Sequence, residues 1–307
     1  MASGSKKVIY AALIGNSLVA VTKFIAATIT GSSAMFSEGI HSVVDTGNQV
    51  LLLFGLKQAQ KPPDEKFPFG HGKEIYFWSF VVSILIFALG AGISIYEGIH
   101  HVLHPRPIQN PLINYVVLAL AIVFESGALY FAVKEFRKAK GDLGYFEAVR
   151  RGKDPTLFVV LFEDTAAMLG LLIALFGIAL GQATGILIFD GIASILIGVL
   201  LALTAIWLAY ETKGLLIGES ARKDIREKIY RITQRIDAVE HVNEVLTMHM
   251  GPEFILVNLS VDLKDNLETG QVEKAIAEID RTIKSEIPEA KRVFVEAEAR
   301  VSSSAGV

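Results

Sequence analysis

Three ionisable side chains recur at helical spacing within one long apolar stretch near the start of the chain. Glu38, His41 and Asp45 lie in the stretch Ala34–Leu56, and His41 and Asp45 are four residues apart. On an α-helix this spacing puts both side chains on one face, a turn apart. An imidazole nitrogen beside a carboxylate oxygen is half of the tetrahedral ligand shell that zinc prefers in proteins. The pair therefore predicts a transition-metal site on an apolar helix.

A second apolar stretch, Leu157–Leu180, carries the adjacent carboxylates Glu163 and Asp164. Hydrocarbon disfavours an ionisable group by about 2.5–3.5 kcal/mol, so carboxylates at this depth need a partner or a function. We expect Asp164 to join His41 and Asp45 at one cation. Glu163 points about 100° away from Asp164 around the helix and is the less well-placed ligand. The alternative is that these groups only form interhelical hydrogen bonds.

Both stretches belong to a set that is long enough to cross a membrane. A bilayer core about 30 Å thick needs roughly 20 mostly apolar residues per helix. Six stretches meet this length: Val8–Thr30, Ala34–Leu56, Ile75–Ile99, Leu112–Val133, Leu157–Leu180 and Ile186–Tyr210. Within the first stretch, Asn16 and Lys23 are predicted to be packing and snorkelling residues.

The charges of the connecting segments predict the orientation of the six helices. The segments expected on one side of the membrane carry thirteen lysine and arginine residues, and those on the other side carry one. By the positive-inside rule, both termini are then cytosolic. The short basic N-terminus favours a prokaryotic cell membrane, with an organellar membrane as the alternative.

Composition supports a membrane part followed by a soluble part. The 307-residue chain is 52% hydrophobic and 20% charged, and its mean hydropathy is +0.46. Charged residues are concentrated after Glu211. The net charge of -3 at pH 7 gives no support for binding of a polyanion, so we expect no nucleic-acid partner. The absence of cysteine excludes disulfides and thiolate metal sites, which leaves His, Asp and Glu as the strong ligands.

The hydrophobic pattern changes its period after Glu211. A helical pattern runs from Ile225 to Ile236. In Phe254–Leu263, apolar residues at every second position from Ile255 onward alternate with Asn258, Ser260 and Asp262, which predicts a strand. With a strand before it and a helix and strand after it, the order is α-β-β-α-β, a small ferredoxin-like or metallochaperone-like α+β sandwich. The predicted domains are a six-helix transmembrane transport domain over 1–211, a cytosolic α+β domain over 212–300 and a disordered tail over 301–307.

Several short motifs together resemble the cation diffusion facilitator family of metal/proton antiporters over nearly the whole chain. They are Gly31-Ser32-Ser33-Ala34, Ser37-Glu38-Gly39-Ile40-His41-Ser42-Val43-Val44-Asp45, Phe69-Gly70-His71-Gly72-Lys73-Glu74 and the Gly251-Pro252 turn. The motif Phe69-Gly70-His71-Gly72-Lys73-Glu74, combined with Glu163-Asp164-Thr165, looks most like the zinc transporter 9 branch.

The resemblance implies a transport site with two ligands from the second span and two from the fifth, each pair four residues apart. It carries over to these positions: His41, Asp45 and Asp164. The fourth position holds Val160, which cannot bind metal. Glu163, Asn48 or a water would have to replace it.

The resemblance also implies metal sites outside the membrane and a homodimer. Asp64 and His71 match a loop site, although Phe67 stands where a second histidine is expected. The ligand positions of the soluble domain hold these residues: Asn243, Asn258, Glu296 and Glu298. This set predicts no strong binuclear zinc site, so we expect the domain to serve dimerisation.

These features predict a transporter that exports a divalent transition metal, zinc by preference, from the cytosol in exchange for protons by alternating access. His41, with Glu38 as a second candidate, is expected to carry the proton. The alternatives are the same fold carrying manganese, iron or cobalt, or a membrane-embedded metal sensor. We expect no enzyme activity and no cofactor, since no His-Glu-x-x-His motif is present.

Overall fold

The computed structural model describes residues 3–140, 144, 145, 148 and 155–300. The chain divides into two compact units, one made of Met1–Gln58 and Glu74–Lys213 and the other of Ala59–Lys73 and Gly214–Val307. The predicted tail over 301–307 lies outside the described residues. The segment 59–73 belongs to the second unit, although in sequence it falls between the second and third apolar stretches.

The first unit contains six long helices among its described residues. They are α1 (Ser3–Thr30), α2 (Ser33–Ala59), α3 (Glu74–Leu103), α4 (Pro111–Lys140), α5 (Pro155–Thr184) and α6 (Ile188–Ile217). Helix α3 contains a π-helical turn at Ile86–Ala91, a feature that often accompanies functional sites.

Four of these helices are long and apolar enough to cross a membrane by length and composition. They are α3, α4, α5 and α6, which contain candidate spans of 27 to 30 residues in the described chain. Helix α1 contributes a shorter apolar segment, Asn16–Thr30. Helix α2 falls short because Glu38, His41 and Asp45 interrupt its apolar residues. Six spans therefore stay a prediction, whereas four strongly apolar helices are present.

Small residues let helices of this unit approach closely. A Cβ atom on Gly98 of α3 would lie 2.7 Å from the carbonyl oxygen of Gly191 on α6, so only glycine fits there. Helix contacts through small residues are the usual packing mode of membrane helices, since lipid is as apolar as the side chains it would replace.

The second unit is a small α/β domain. Its elements are α7 (Lys223–Gln234), β1 (Val239–Gly251), β2 (Phe254–Leu263), α8 (Thr269–Glu286) and β3 (Ala290–Ala297). The strands form one sheet in the order β1-β2-β3, with β1 antiparallel and β3 parallel to β2. This confirms the predicted element order. The core consists of the inward residues of β2 packed against the apolar faces of α7 and α8.

The segment 59–73 packs on the turn between β1 and β2. A Cβ atom on Gly72 would collide with the Met250 carbonyl oxygen, so the backbones meet in direct contact there. The Phe69 ring lies edge-on to Phe294 of β3, with ring centroids 6.4 Å apart. The glycine-rich motif of this loop thus serves a close backbone contact within the second unit.

Candidate metal site

Helix α2 brings His41 and Asp45 together as their spacing predicts. The Nε2 atom of His41 lies 2.9 Å from Oδ2 of Asp45, and the two side chains are 3% and 18% exposed. The other ring nitrogen, Nδ1, has no hydrogen-bond partner among the described residues. The pair presents a nitrogen and an oxygen ligand at one point on a buried helix face.

Glu163 of α5 contacts α2 through Asn48. The Nδ2 atom of Asn48 donates a hydrogen bond of 2.7 Å to Oε1 of Glu163, and both side chains are buried. The Oδ1 atom of Asn48 has no partner in the described part of the chain. Glu163 also interacts electrostatically with Asp45. The Asn48–Glu163 hydrogen bond therefore links α2 to α5, the two helices that carry the candidate ligands. From the sequence alone, both residues were only possible replacements for the ligand missing at Val160.

Asp164 is half-buried and interacts electrostatically with Asp45, His41 and Glu125. Within the described ranges, no three His, Asp or Glu side chains come close enough together to hold one metal ion. The structure thus joins His41 to Asp45 and leaves Asp164 outside their immediate shell. Val160, one turn before Asp164, provides no ligand atom.

Lys23 and Glu38 form a buried ion pair beside this site. The Lys23 ammonium lies 2.9 Å from Oε2 of Glu38, and the two side chains are 1% and 0% exposed. The ammonium also donates a 2.8 Å hydrogen bond to the Ser42 hydroxyl. The prediction that Lys23 snorkels to the membrane surface is wrong, because a carboxylate on the neighbouring helix holds it inside.

Glu125 of α4 adds a further carboxylate near the site. It interacts electrostatically with Lys23, Asp45, His41 and Glu38. It also lines a cavity of about 490 Å³ between α1 and α4, together with Asn16 and apolar side chains of both helices. Its position in the middle of an apolar stretch was the only signal in the sequence.

The predicted loop pair forms within the second unit. His71 Nε2 lies 2.9 Å from Asp64 Oδ2, and the Phe67 ring packs on the imidazole with centroids 4.6 Å apart. The hydrogen bond with His71 has the largest effect on the pKa of the Asp64 carboxyl and lowers it. The hydrogen bond from the Phe67 amide lowers the same pKa to a smaller extent. Two potential ligands are thus in contact, with an aromatic ring beside them.

The four predicted ligand positions of the α/β domain form no metal cluster in the described chain. The Asn243 amide donates to the Ser260 hydroxyl and to the Glu298 carbonyl, both at 3.1 Å. Ser260 donates in turn to the Glu298 carboxylate at 2.8 Å. Asn258 and Glu296 are exposed. Two of the four positions, Asn243 and Glu298, therefore take part with Ser260 in a hydrogen-bond network at the end of the sheet.

Comparison with known proteins identifies the family of the chain. The cation efflux transmembrane domain matches residues 9–217 of the chain, so the chain belongs to the cation efflux family of integral membrane proteins. The family resemblance drawn from the motifs is confirmed.

Three relatives show the range of the family around this chain. The proton-coupled zinc antiporter SLC30A9, mitochondrial, of Xenopus laevis is 36% identical over 269 residues, which cover 87% of this chain and 48% of the relative. Metal tolerance protein C4 of Arabidopsis thaliana is 30% identical over 86% of this chain and 58% of its own length. The manganese efflux system protein MneP of Bacillus subtilis is 24% identical over 95% of each chain. The chain spans about half the length of the SLC30A9 relatives that it matches.

Proposed function

We propose that this protein exports a divalent transition metal, zinc by preference, in exchange for protons. The observation that carries the proposal is the buried contact of 2.9 Å between His41 and Asp45 on α2. A nitrogen and an oxygen ligand favour zinc over calcium or magnesium, which take all-oxygen shells. The relatives named as proton-coupled zinc antiporters support the same substrate.

Proton exchange follows from the chemistry of the imidazole. A metal ion binds only neutral imidazole, so a proton on His41 and a metal ion exclude each other. We assign the exchange to His41, because Glu38 is held in an ion pair with Lys23. Alternating exposure of the site to the two faces of the membrane then moves a metal ion one way and protons the other.

We further propose that Asn48 and Glu163 replace the ligand that is missing at Val160, alongside Asp164. The free Oδ1 atom of Asn48 is buried, and Asn48 lies seven residues after His41, on the same helix face. The Asn48–Glu163 hydrogen bond keeps an oxygen-rich group of α5 next to α2. A small movement of α5 would then bring carboxylate oxygens to a metal held by His41 and Asp45.

Manganese is the second candidate substrate. The groups around His41 are rich in oxygen, since Asp45, Glu125, Glu163 and Asp164 interact electrostatically with one another or with the histidine. Oxygen ligands suit manganese better than nitrogen or sulfur ligands do. A relative named as a manganese efflux protein supports this alternative.

The test is metal uptake into proteoliposomes with an acidic interior, using zinc, manganese, cobalt and iron with wild type and Asp164→Ala. We expect gradient-driven zinc uptake that the substitution reduces at least ten-fold. Normal zinc uptake by the variant would remove Asp164 from the site. Metal binding without flux of any of the four ions would indicate a membrane-embedded metal sensor and overturn the carrier.

The topology is also part of the proposal: six membrane spans within 1–211, a cytosolic domain over 212–300 and both termini in the cytosol. Because the chain contains no cysteine, single cysteines at exposed positions report their side cleanly. We expect Lys61→Cys and Ala183→Cys to react with a membrane-impermeant maleimide from opposite sides. Labelling of both from one side would refute the six-span arrangement.

The remaining assignments concern partners and location. We propose a homodimer formed by the soluble unit, supported by the exposed apolar side chains of Leu246, Met248 and Phe294 on its sheet; light scattering in detergent measures the mass. We propose Asp64 and His71 as a weak metal site in the loop.

The mitochondrial relatives favour the organellar alternative over a prokaryotic cell membrane, and fractionation of the source cells tests this.

A further inference from the structure

A lysine ammonium is fully enclosed between α1 and α2. Lys23 is 1% exposed, and among the described residues its ammonium contacts the Glu38 carboxylate at 2.9 Å and the Ser42 hydroxyl at 2.8 Å. A charge at this depth is costly unless an opposite charge neutralises it. The pair is therefore a fixed unit of the membrane part, with no net charge while both members are present.

This ion pair lies next to the residues of the candidate site. Glu38, His41, Ser42 and Asp45 follow one another at spacings of three and four residues on α2, which places them along one helix face. His41 interacts electrostatically with both Glu38 and Lys23. Any cation held by His41 therefore experiences the charges of both members of the pair.

Helix α5 encloses the carboxylate from its other side. A methyl group on Gly170 would collide with Oε1 of Glu38, so any side chain at this position would displace the carboxylate. Oε1 has no hydrogen-bond partner in the described part of the chain. Glu38 thus keeps one oxygen without a partner, one turn from His41, while its other oxygen is bound to Lys23.

We propose that Lys23 is a built-in cation that keeps the Glu38 carboxylate out of the ligand shell of the transported metal, and thereby sets the affinity and metal preference of the site. The proposal rests on the proposed metal-binding function of His41 and Asp45. Lys23 acts through Glu38 and is a positioning residue.

The two single substitutions have opposite expected effects. Lys23→Met removes the competing cation and frees a carboxylate one turn from His41, so divalent cations bind about ten-fold more tightly. Manganese gains more than zinc, because the added ligand is an oxygen. Glu38→Gln leaves an unpaired ammonium beside the site, which repels both metals and weakens their binding by about ten-fold. The double variant Lys23→Met/Glu38→Gln carries neither charge and returns to within about three-fold of wild type.

The experiment is equilibrium titration of the full-length protein in nanodiscs with zinc chloride and, separately, manganese chloride. Lys57→Met, an exposed lysine substitution near the end of α2, is the matched control and should bind like wild type. If Lys23→Met alone fails to fold, comparison of Glu38→Gln with the double variant decides, since removing the ammonium must restore the lost affinity. Single variants that shift binding in the same direction, or a double variant no better than Glu38→Gln, would overturn the inference.

The same titration separates this inference from the proposed function. Wild type that binds neither metal overturns both. Wild type that binds zinc, with variants that leave affinity and the zinc-to-manganese ratio unchanged, overturns only the role of Lys23. Opposite shifts with restoration in the double variant support the role, and a purely structural ion pair would not produce them.

Discussion

The side-chain amide of Asn48 donates a hydrogen bond of 2.7 Å to the Glu163 carboxylate, which joins α2 to α5 at the candidate site. Both side chains are buried, so neither can exchange this bond for water at the surface. The bond therefore fixes how the helix bearing His41 and Asp45 is placed against the helix bearing Asp164.

Substitution of Asn48 tests this link. Asn48→Ala leaves the buried Glu163 carboxylate without its donor, which costs about 1–3 kcal/mol, and it removes an oxygen ligand from the proposed shell. We expect a lower Tm in detergent and at least ten-fold slower zinc uptake by proteoliposomes. Asn16→Ala is the control, since Asn16 makes a similar amide bond of 3.1 Å to Gln49 and should retain zinc uptake. Equal loss in both variants would show that the Asn48 effect is general destabilisation.

His41 and Asp45 are expected to be indispensable for transport. His41→Ala and Asp45→Ala each remove one ligand of the metal, so zinc uptake should fall at least ten-fold at saturating proton gradient. We expect only a small fall in the stability of the folded protein compared with the loss of uptake, because the side chains of His41 and Asp45 mainly contact each other. His104→Ala, at an exposed histidine after α3, controls for loss of surface histidines. A His41→Ala variant with undiminished uptake would refute the site.

Sequence reasoning succeeded where one element decides the outcome. The His41–Asp45 contact follows from four-residue spacing on one helix. Strand β2 was predicted with the bounds Phe254–Leu263 that it has, because its alternation matches the period of a half-buried strand.

Sequence reasoning failed where a contact depends on the relative orientation of two elements that are distant in the sequence. Lys23 was predicted to reach the surface, because nothing in α1 shows that Glu38 faces it from α2. The Asn48–Glu163 bond depends on the relative rotation of α2 and α5, which hydrophobic periodicity alone leaves open. The contact between Gly72 and the Met250 carbonyl joins segments almost 180 residues apart. The glycines of the loop motif are compatible with a close backbone contact, but they do not identify the segment that is contacted.

Gly170 offers a test of the enclosed ion pair through packing alone. An added methyl group would overlap Oε1 of Glu38, and overpacking of this kind costs about 1–3 kcal/mol. Gly170→Ala should therefore lower the Tm by several degrees. Gly181→Ala on the same helix meets its nearest atom at 3.6 Å, so it should keep the Tm or raise it, since alanine is the better helix former. The idea fails if both substitutions have the same sign.

The loop pair should respond to pH in one direction only. The pKa of Asp64 is lowered in the folded loop, first by the hydrogen bond with His71. A lowered carboxyl pKa means that the stabilisation is complete above the unfolded value of about 3.9 and disappears as pH falls through the folded pKa. The Phe67 amide donates to Oδ1 of Asp64 at 2.7 Å, so its hydrogen exchange reports the pair.

The measurement is hydrogen exchange of the peptide containing Phe67, corrected for intrinsic rates, from pH 8 down to pH 3. We expect constant protection down to about pH 5 and a loss only in the most acidic samples. Asp64→Asn keeps an acceptor for the Phe67 amide without the titratable group, so its protection should not change with pH. Loss of protection near neutral pH in wild type would show that another group controls the loop.

The start of α2 depends on a carboxylate from α6. Asp190 accepts a 2.6 Å hydrogen bond from the Ser32 hydroxyl and a 2.5 Å bond from the Ser33 amide, the first residue of α2. Its side chain is buried, and it takes the place of an N-cap residue for a helix distant in sequence. The negative charge also complements the positive end of the helix dipole.

Asp190→Ala should cost about 0.5–2 kcal/mol, the usual effect of removing an N-cap, and lower the Tm. Asp190→Asn retains one acceptor oxygen and should lose less, which separates the hydrogen bonds from the charge. Because α2 carries His41 and Asp45, we expect Asp190→Ala to slow zinc uptake as its helix start loosens, while Ser33→Ala, which keeps the backbone donor, leaves uptake near wild type. An Asp190→Ala protein with unchanged Tm would mean that water or another group satisfies the first amides of α2 equally well.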